Sequence, residues 1–123
     1  MLSLNANSSQ RGRQAEILAE HWLAKRGLKP LNRNWRAGRG EIDLIMLDGH
    51  TLVFVEVRSR REGARVSAAE SLNFRKLQKL RETAARYLQA NPAMRRRACR
   101  FDVVTITGDL LEPQFQWIRD AFQ

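Results

Sequence analysis

Apolar residues recur at three- and four-residue spacing through Ala15, Leu18, Ala19, Trp22 and Leu23, which predicts a first helix. Gly27 stands where a C-cap glycine belongs, and Ser8 or Ser9 is placed to cap the start. The basic stretch Leu28 to Trp35 reads as an edge strand, followed by a glycine-bracketed turn from Arg36 to Gly40. Two runs rich in Ile, Val, Leu and Phe come next, Glu41 to Leu47 and Thr51 to Arg58, on either side of Asp48-Gly49-His50. That is a hairpin pattern, and a Gly49-His50 loop sets Asp48 opposite Thr51 and Asp43 opposite Glu56. A charged loop, Ser59 to Val66, leads to a second helix. Its start is marked by the capping-box pattern Ser67 to Glu70, or by Ser71, and its end near Ala90 by Asn91-Pro92. Leu77, Leu80, Ala84 and Leu88 form its inward stripe. Arg100 to Thr107 reads as a further strand and Phe115 to Ile118 as a short last one. The order is αβββαβ plus a terminal strand. A hairpin followed by a helical crossover predicts a mixed α/β sheet with helices packed against it.

A chain of 123 residues has room for one domain, expected over 11–123 behind a loose polar tail, 1–10. Lys+Arg 22 against Asp+Glu 13 gives a net charge of +9, and arginine supplies 18 of the cations. That bias points to a phosphate-bearing partner rather than a membrane surface. A single cysteine, Cys99, excludes an internal disulfide. His21 and His50 stand alone, without zinc-ligand spacing. The tail lacks the apolar core of a signal peptide, and a cytoplasmic location is expected. No Walker loop, nucleophile elbow or dinucleotide fingerprint occurs.

The chemistry lies in acids placed among apolar strand residues: Asp43 in Ile-Asp-Leu-Ile, Glu56 in Phe-Val-Glu-Val, Asp102 in Arg-Phe-Asp-Val-Val. A carboxylate between covered sheet faces must be paired, hydrogen-bonded or metal-bound. Arginine pairing accounts for a lone strand acid. Two acids opposed across a strand pair repel unless a divalent cation lies between them, so Asp43 and Glu56, with Arg58 beside them, favour a cation. For Asp102 both readings stand, because Arg100 lies two residues away on the same face. Glu41, at a strand start after Gly40, is expected to be exposed.

Gly40-Glu-Ile-Asp-Leu-Ile45, Phe54-Val-Glu-Val-Arg58 and Arg100-Phe-Asp-Val-Val104 resemble the YraN family, and the likeness runs from about Gly12 to Phe122. The resemblance implies a restriction-endonuclease-like core related to Holliday-junction resolvases, whose site takes the form Asp, then Glu-x-Lys. Asp43 matches the Asp, Glu56 the Glu, and Arg58 stands at the Lys position. Glu16 corresponds to a first-helix glutamate of the resolvase-like branch, or else is a surface residue paired with Arg13. The implied ligands of Mg²⁺ (or Mn²⁺) are Asp43, Glu56 and the Val57 carbonyl. Arginine at position 58 keeps the charge that clamps a phosphate but cannot act as a base.

Nucleic acid, and DNA by resemblance, is the expected partner. Arg33, Arg36 and Arg39 precede the hairpin, Arg60, Arg61 and Arg65 follow it, and Arg95, Arg96 and Arg97 precede the strand at Arg100. These clusters are expected to contact phosphates around the acidic centre. Lys76 and Lys79 read as solvated helix residues, although Lys76, at the edge of the apolar stripe, can reach the sheet end. Trp22, Trp35 and Trp117 are candidates for base stacking, with Trp22 better suited to the core. The activity implied is metal-dependent cleavage of structured or branched DNA. The alternative is a binding module that keeps the nuclease fold with little turnover. A homodimer follows by analogy with resolvases that cut two strands.

Overall fold

A computed structural model describes residues 8–63 and 73–122. Five strands form one sheet in the order β1-β2-β3-β4-β5: β1 (Lys29–Ala37), β2 (Gly40–Asp48), β3 (Thr51–Arg60), β4 (Cys99–Thr107) and β5 (Gln114–Ile118). Helix α1 (Ser8–Ala24) covers one face and α2 (Phe74–Ala90) the other. The β3–α2–β4 crossover makes β3 and β4 parallel, and every other neighbouring pair is antiparallel. This is the mixed α/β sheet that the order of elements predicts.

The hairpin register is as read from its loop over its paired residues, but the ladder ends before Asp43 and Glu56, which are not paired opposite one another as expected. Asp48 pairs with Thr51 and the ladder continues to Leu44 opposite Val55, with Gly49 at φ 61 in the turn. Ala15, Ala19 and Leu23 of α1 pack on Leu44, Met46, Val53 and Val55, while Leu80, Ala84 and Tyr87 of α2 pack on Ile42, Ile45, Leu52 and Phe54. The inward stripe of α2 thus includes Thr83 and Tyr87, and Leu77 and Leu88 are only half-buried. Ile42 and Ile45 lie three residues apart yet on the same face, so β2 breaks its alternation between them. Asp43 sits at that break.

Some boundaries differ from the sequence expectation. α1 already runs at Ser8, inside the stretch expected to be a tail. The cap of α2 is Asn73, whose side chain accepts from the Lys76 backbone N–H at 3.1 Å. An asparagine directly before the first turn satisfies the orphan N–H as well as a serine does. Ser67, Glu70 and Ser71 lie outside the described residues. Among the described residues no helix is long and apolar enough to cross a membrane.

Gly40 positions the start of β2 against α2. A Cβ at this residue would lie 1.8 Å from the Thr83 Oγ1, which itself donates to the Lys79 carbonyl at 2.7 Å. Gly40→Ala is therefore expected to cost about 1–3 kcal/mol of stability through forced displacement of the helix. Thr83→Ala in the same chain should recover part of that loss, since it removes the clashing oxygen. A double-mutant cycle of thermal melts measures the coupling, and additive effects would place the cost elsewhere.

Candidate metal and phosphate site

Beyond the pair Leu44–Val55 the β2–β3 ladder gives way, and a side chain takes the place of the backbone acceptor: Asp43 Oδ2 accepts the Val57 N–H at 2.9 Å. The N–H and C=O of one extended residue leave the same edge of a strand, so the Val57 carbonyl also leaves towards β2. Asp43 is buried. From α1, Glu16 reaches the same place, and one carboxylate oxygen each of Glu16, Glu41 and Asp43 lie within 4.8 Å of one another. Glu56 approaches Asp43 from β3. Its Oε1 stands 3.6 Å from Arg58 Nη2, and both side chains are largely covered. A cleft of about 220 Å³, lined by Asp43, Glu56, Arg58, Lys76 and Lys79 among others, opens on the α2 side.

The electrostatics follow from crowding. Burial pushes the Glu16 carboxyl up to about 8, reinforced by the charge of Asp43 and then Glu41, with the Asn34 amide working against the rise. Burial likewise pushes Glu56 up to about 9, reinforced by Asp43 and opposed by Arg58 and Lys76. Lys76 is lowered, by burial first and then by the Arg58 charge. With both carboxyls raised, protons are favoured on Glu16 and Glu56 near neutral pH, and a dication binding there would have to displace them. The donors fit a hard cation: all are carboxylates, with a backbone carbonyl beside them, and Glu16 Oε1 is buried without a hydrogen-bond partner among the described residues.

The raised carboxyl of Glu56 has a consequence for stability. The folded chain holds this proton up to about pH 9, whereas the unfolded chain releases it near the ordinary carboxyl value of 4.5. Between those values the folded state binds more protons, so stability falls as pH rises, and the loss is complete above about pH 9. Glutamine mimics the protonated form at every pH. Glu56→Gln should therefore melt above the wild type by a margin that grows from about pH 5 to about pH 9. Thermal melts in EDTA across that range give the answer; a margin independent of pH would mean that Glu56 is charged throughout.

The remaining residues singled out from the sequence fall into distinct places. Arg36 pairs with Glu41, which is half-buried rather than exposed, because the break in β2 carries it towards Glu16. Arg13 is exposed and makes no ion pair with Glu16. Arg39 is exposed in the β1–β2 turn, and Arg60 and Arg61 line a cleft between α1 and the end of β3. Arg65 lies outside the described residues. Arg95, Arg96 and Arg97 do not surround the acids. Arg97 donates to the His50 carbonyl in the hairpin turn and Arg95 to the Leu88 carbonyl, at the opposite end of the sheet. The parallel crossover is the reason: it brings the chain into β4 beside the first residues of β3, with Cys99 opposite Leu52, whereas the acids gather towards the far end of β3.

Asp102 is scaffolding. It is fully buried and accepts from Arg100, from the Trp117 Nε1 at 2.9 Å and from the Asp120 N–H at 2.9 Å, while Arg100 also reaches Asp48 at 2.9 Å. The tryptophans are committed to packing: Trp22 stacks on Phe115, Trp35 meets Tyr87 edge-on, and Trp117 meets Trp22. Base stacking by these rings finds no support in this arrangement. Glu41 was legible as a carboxylate two residues from Asp43. Arg11 carried no signal, since its partners are carbonyls remote in sequence.

Comparison with known proteins agrees with the family resemblance of the motifs. The model of uncharacterised protein family UPF0102 matches residues 15–106. A UPF0102 protein of Pseudomonas paraeruginosa is 50% identical over 119 residues, covering 95% of each chain. One of Stutzerimonas stutzeri is 48% identical over 118 residues, 96% of this chain and 98% of that protein. One of Nitrosococcus oceani is 44% identical over 118 residues, covering 96% and 95%.

Proposed function

From the premise that this chain belongs to uncharacterised protein family UPF0102, we propose that it is a metal-dependent endonuclease acting on structured or branched DNA. The observation that carries the reading is the meeting of Glu16, Glu41, Asp43 and Glu56 at the split of the sheet in a chain of net charge +9. Although Glu41 meets Arg36 and Glu56 meets Arg58, the four acids remain beside one another, and Asp43 and Glu16 make no arginine pair among the described residues, which favours a cation as their shared partner.

Asp43, Glu16, Glu41 and Glu56, with the Val57 carbonyl, are the residues that would hold the cation. A bound Mg²⁺ or Mn²⁺ supplies an acidified water and charge stabilisation at the scissile phosphate. Arg58 and Lys76, on the rim of the same cleft, hold the phosphate and stabilise its charge. Lys76 is lowered from its ordinary value by burial and by Arg58, which brings it nearer to proton transfer. The branched substrate rests on the resolvase-like motifs.

Arg58 favours a second reading, a DNA-binding module with slow turnover, because a permanently charged fork holds phosphate without serving as a base. A cleavage panel of junctions, flaps, duplexes and single strands, with and without Mg²⁺ or Mn²⁺, tests both. Wild type should cut a branched substrate only with metal, and Arg58→Lys should cut faster at similar affinity. Binding without cleavage by both proteins would move the function to the binding module, and no binding by either would overturn both readings.

A further inference from the structure

Among the described residues, five buried side-chain polar atoms have no hydrogen-bond partner: Arg11 Nε, Gln14 Oε1, Glu16 Oε1, Arg58 Nε and Ser59 Oγ. Three of them are donors, and all three donors belong to the wall of one cleft. This cleft lies between the first turns of α1 and residues 57–63, on the other side of Arg58 from the cleft of Lys76, and encloses about 590 Å³. Buried donors are rarely left unmet, and three of them on residues that line one concave site point to a missing acceptor there.

The cleft is built for an anion. Arg11, Arg58, Arg60 and Arg61 line it, against Glu62 and the Glu16 it shares with the acidic cluster. Arg11 is fixed in place by two backbone carbonyls, donating through Nη2 to Gly108 at 2.7 Å and to Arg60 at 3.2 Å, which leaves its Nε in the wall. Arg60 turns one guanidinium nitrogen to the Ser59 carbonyl at 2.7 Å. Guanidinium donors and a hydroxyl on the residues of one cleft suit a tetrahedral oxyanion, which accepts several hydrogen bonds at once.

We infer that Arg11, Arg58 and Ser59 form a phosphate subsite separate from the carboxylate cluster, which holds a second phosphate of the nucleic-acid strand. The identity of the ligand rests on the nuclease reading; the subsite itself needs no metal. Arg58 stands in both clefts, so the strand runs from the subsite past Arg58 to the carboxylates. The phosphate is either a terminal monoester or an internal diester, and the two share the same recognition chemistry.

The test is binding of a 3′-labelled single-stranded oligonucleotide in EDTA, with a 5′-phosphate or a 5′-hydroxyl end. Wild type is compared with Ser59→Ala and Arg11→Lys, changes that respectively remove the hydroxyl and the Nε donor while keeping size and charge close to the original. Each variant should bind about tenfold more weakly, the loss expected for one hydrogen bond to a charged group. If 5′-phosphorylation tightens wild-type binding and the variants erase that gain, the occupant is a terminal monoester. Equal weakening with both oligonucleotides identifies an internal diester. Wild-type affinity in both variants, or no binding by wild type, overturns the subsite. Since EDTA removes the metal, these results stand apart from the nuclease reading, which fails instead if Mn²⁺ leaves melting and cleavage unchanged.

Discussion

Asp43→Asn should abolish both the Mn²⁺-induced rise in melting temperature and metal-dependent cleavage while the fold persists. Asp43 adjoins Glu16 and Glu56 and has an oxygen within 4.8 Å of one of Glu41, so its loss would remove the shared carboxylate rather than one at the periphery. At a metal concentration a hundred times its dissociation constant, binding stabilises by about 2.7 kcal/mol, a rise on the order of 10 °C for a domain of this size. The variant should show little of it. The fold is preserved because asparagine keeps an oxygen to accept the Val57 N–H now bound by Asp43 at 2.9 Å. It also removes the charge that adds to burial in raising the Glu16 and Glu56 carboxyls, so the metal-free variant should melt at or above the wild type near neutral pH. Melts in EDTA and in Mn²⁺ separate the two effects. An undiminished metal shift in the variant would show that these acids do not share a cation.

Asp102→Ala should act in the opposite way, destroying stability without removing a ligand. The side chain has no solvent exposure and satisfies Arg100, the Trp117 indole and the Asp120 backbone. Truncation leaves those donors facing a void and a covered arginine without one of its two carboxylates. Breaking one partner out of a buried charge pair costs about 3–5 kcal/mol, and the lower part of that range applies because Asp48 still holds Arg100 at 2.9 Å. The corresponding fall in melting temperature is on the order of 10 °C or more. Asp102→Asn should lose less, since one oxygen remains for the indole and the Asp120 N–H to compete over. Trp117 fluorescence follows the unfolding directly. In folded material the Mn²⁺ response should be intact, and a variant with normal stability but no metal response would return Asp102 to the site.

The local patterns of the chain determined the hairpin, its register as far as Leu44 opposite Val55, the two helices and the parallel crossover. Each follows from contacts between near neighbours: period-two and period-3.6 patterning, a two-residue turn and the length of a helical return. They also brought Asp43 and Glu56 under suspicion, because a carboxylate among apolar strand residues is costly wherever the strand ends up. The tertiary structure alone decided what each acid does. Asp43 and Asp102 have the same local signature, yet one meets three other carboxylates and the other an arginine, an indole and a backbone N–H. The break in β2 that turns Glu41 inward, the docking of α1 that delivers Glu16 and Arg11, and the placing of Arg95, Arg96 and Arg97 beside the hairpin turn all depend on how elements distant in sequence pack. A one-residue change of face is small along the chain, but it decides whether a charge meets its like, its opposite or water.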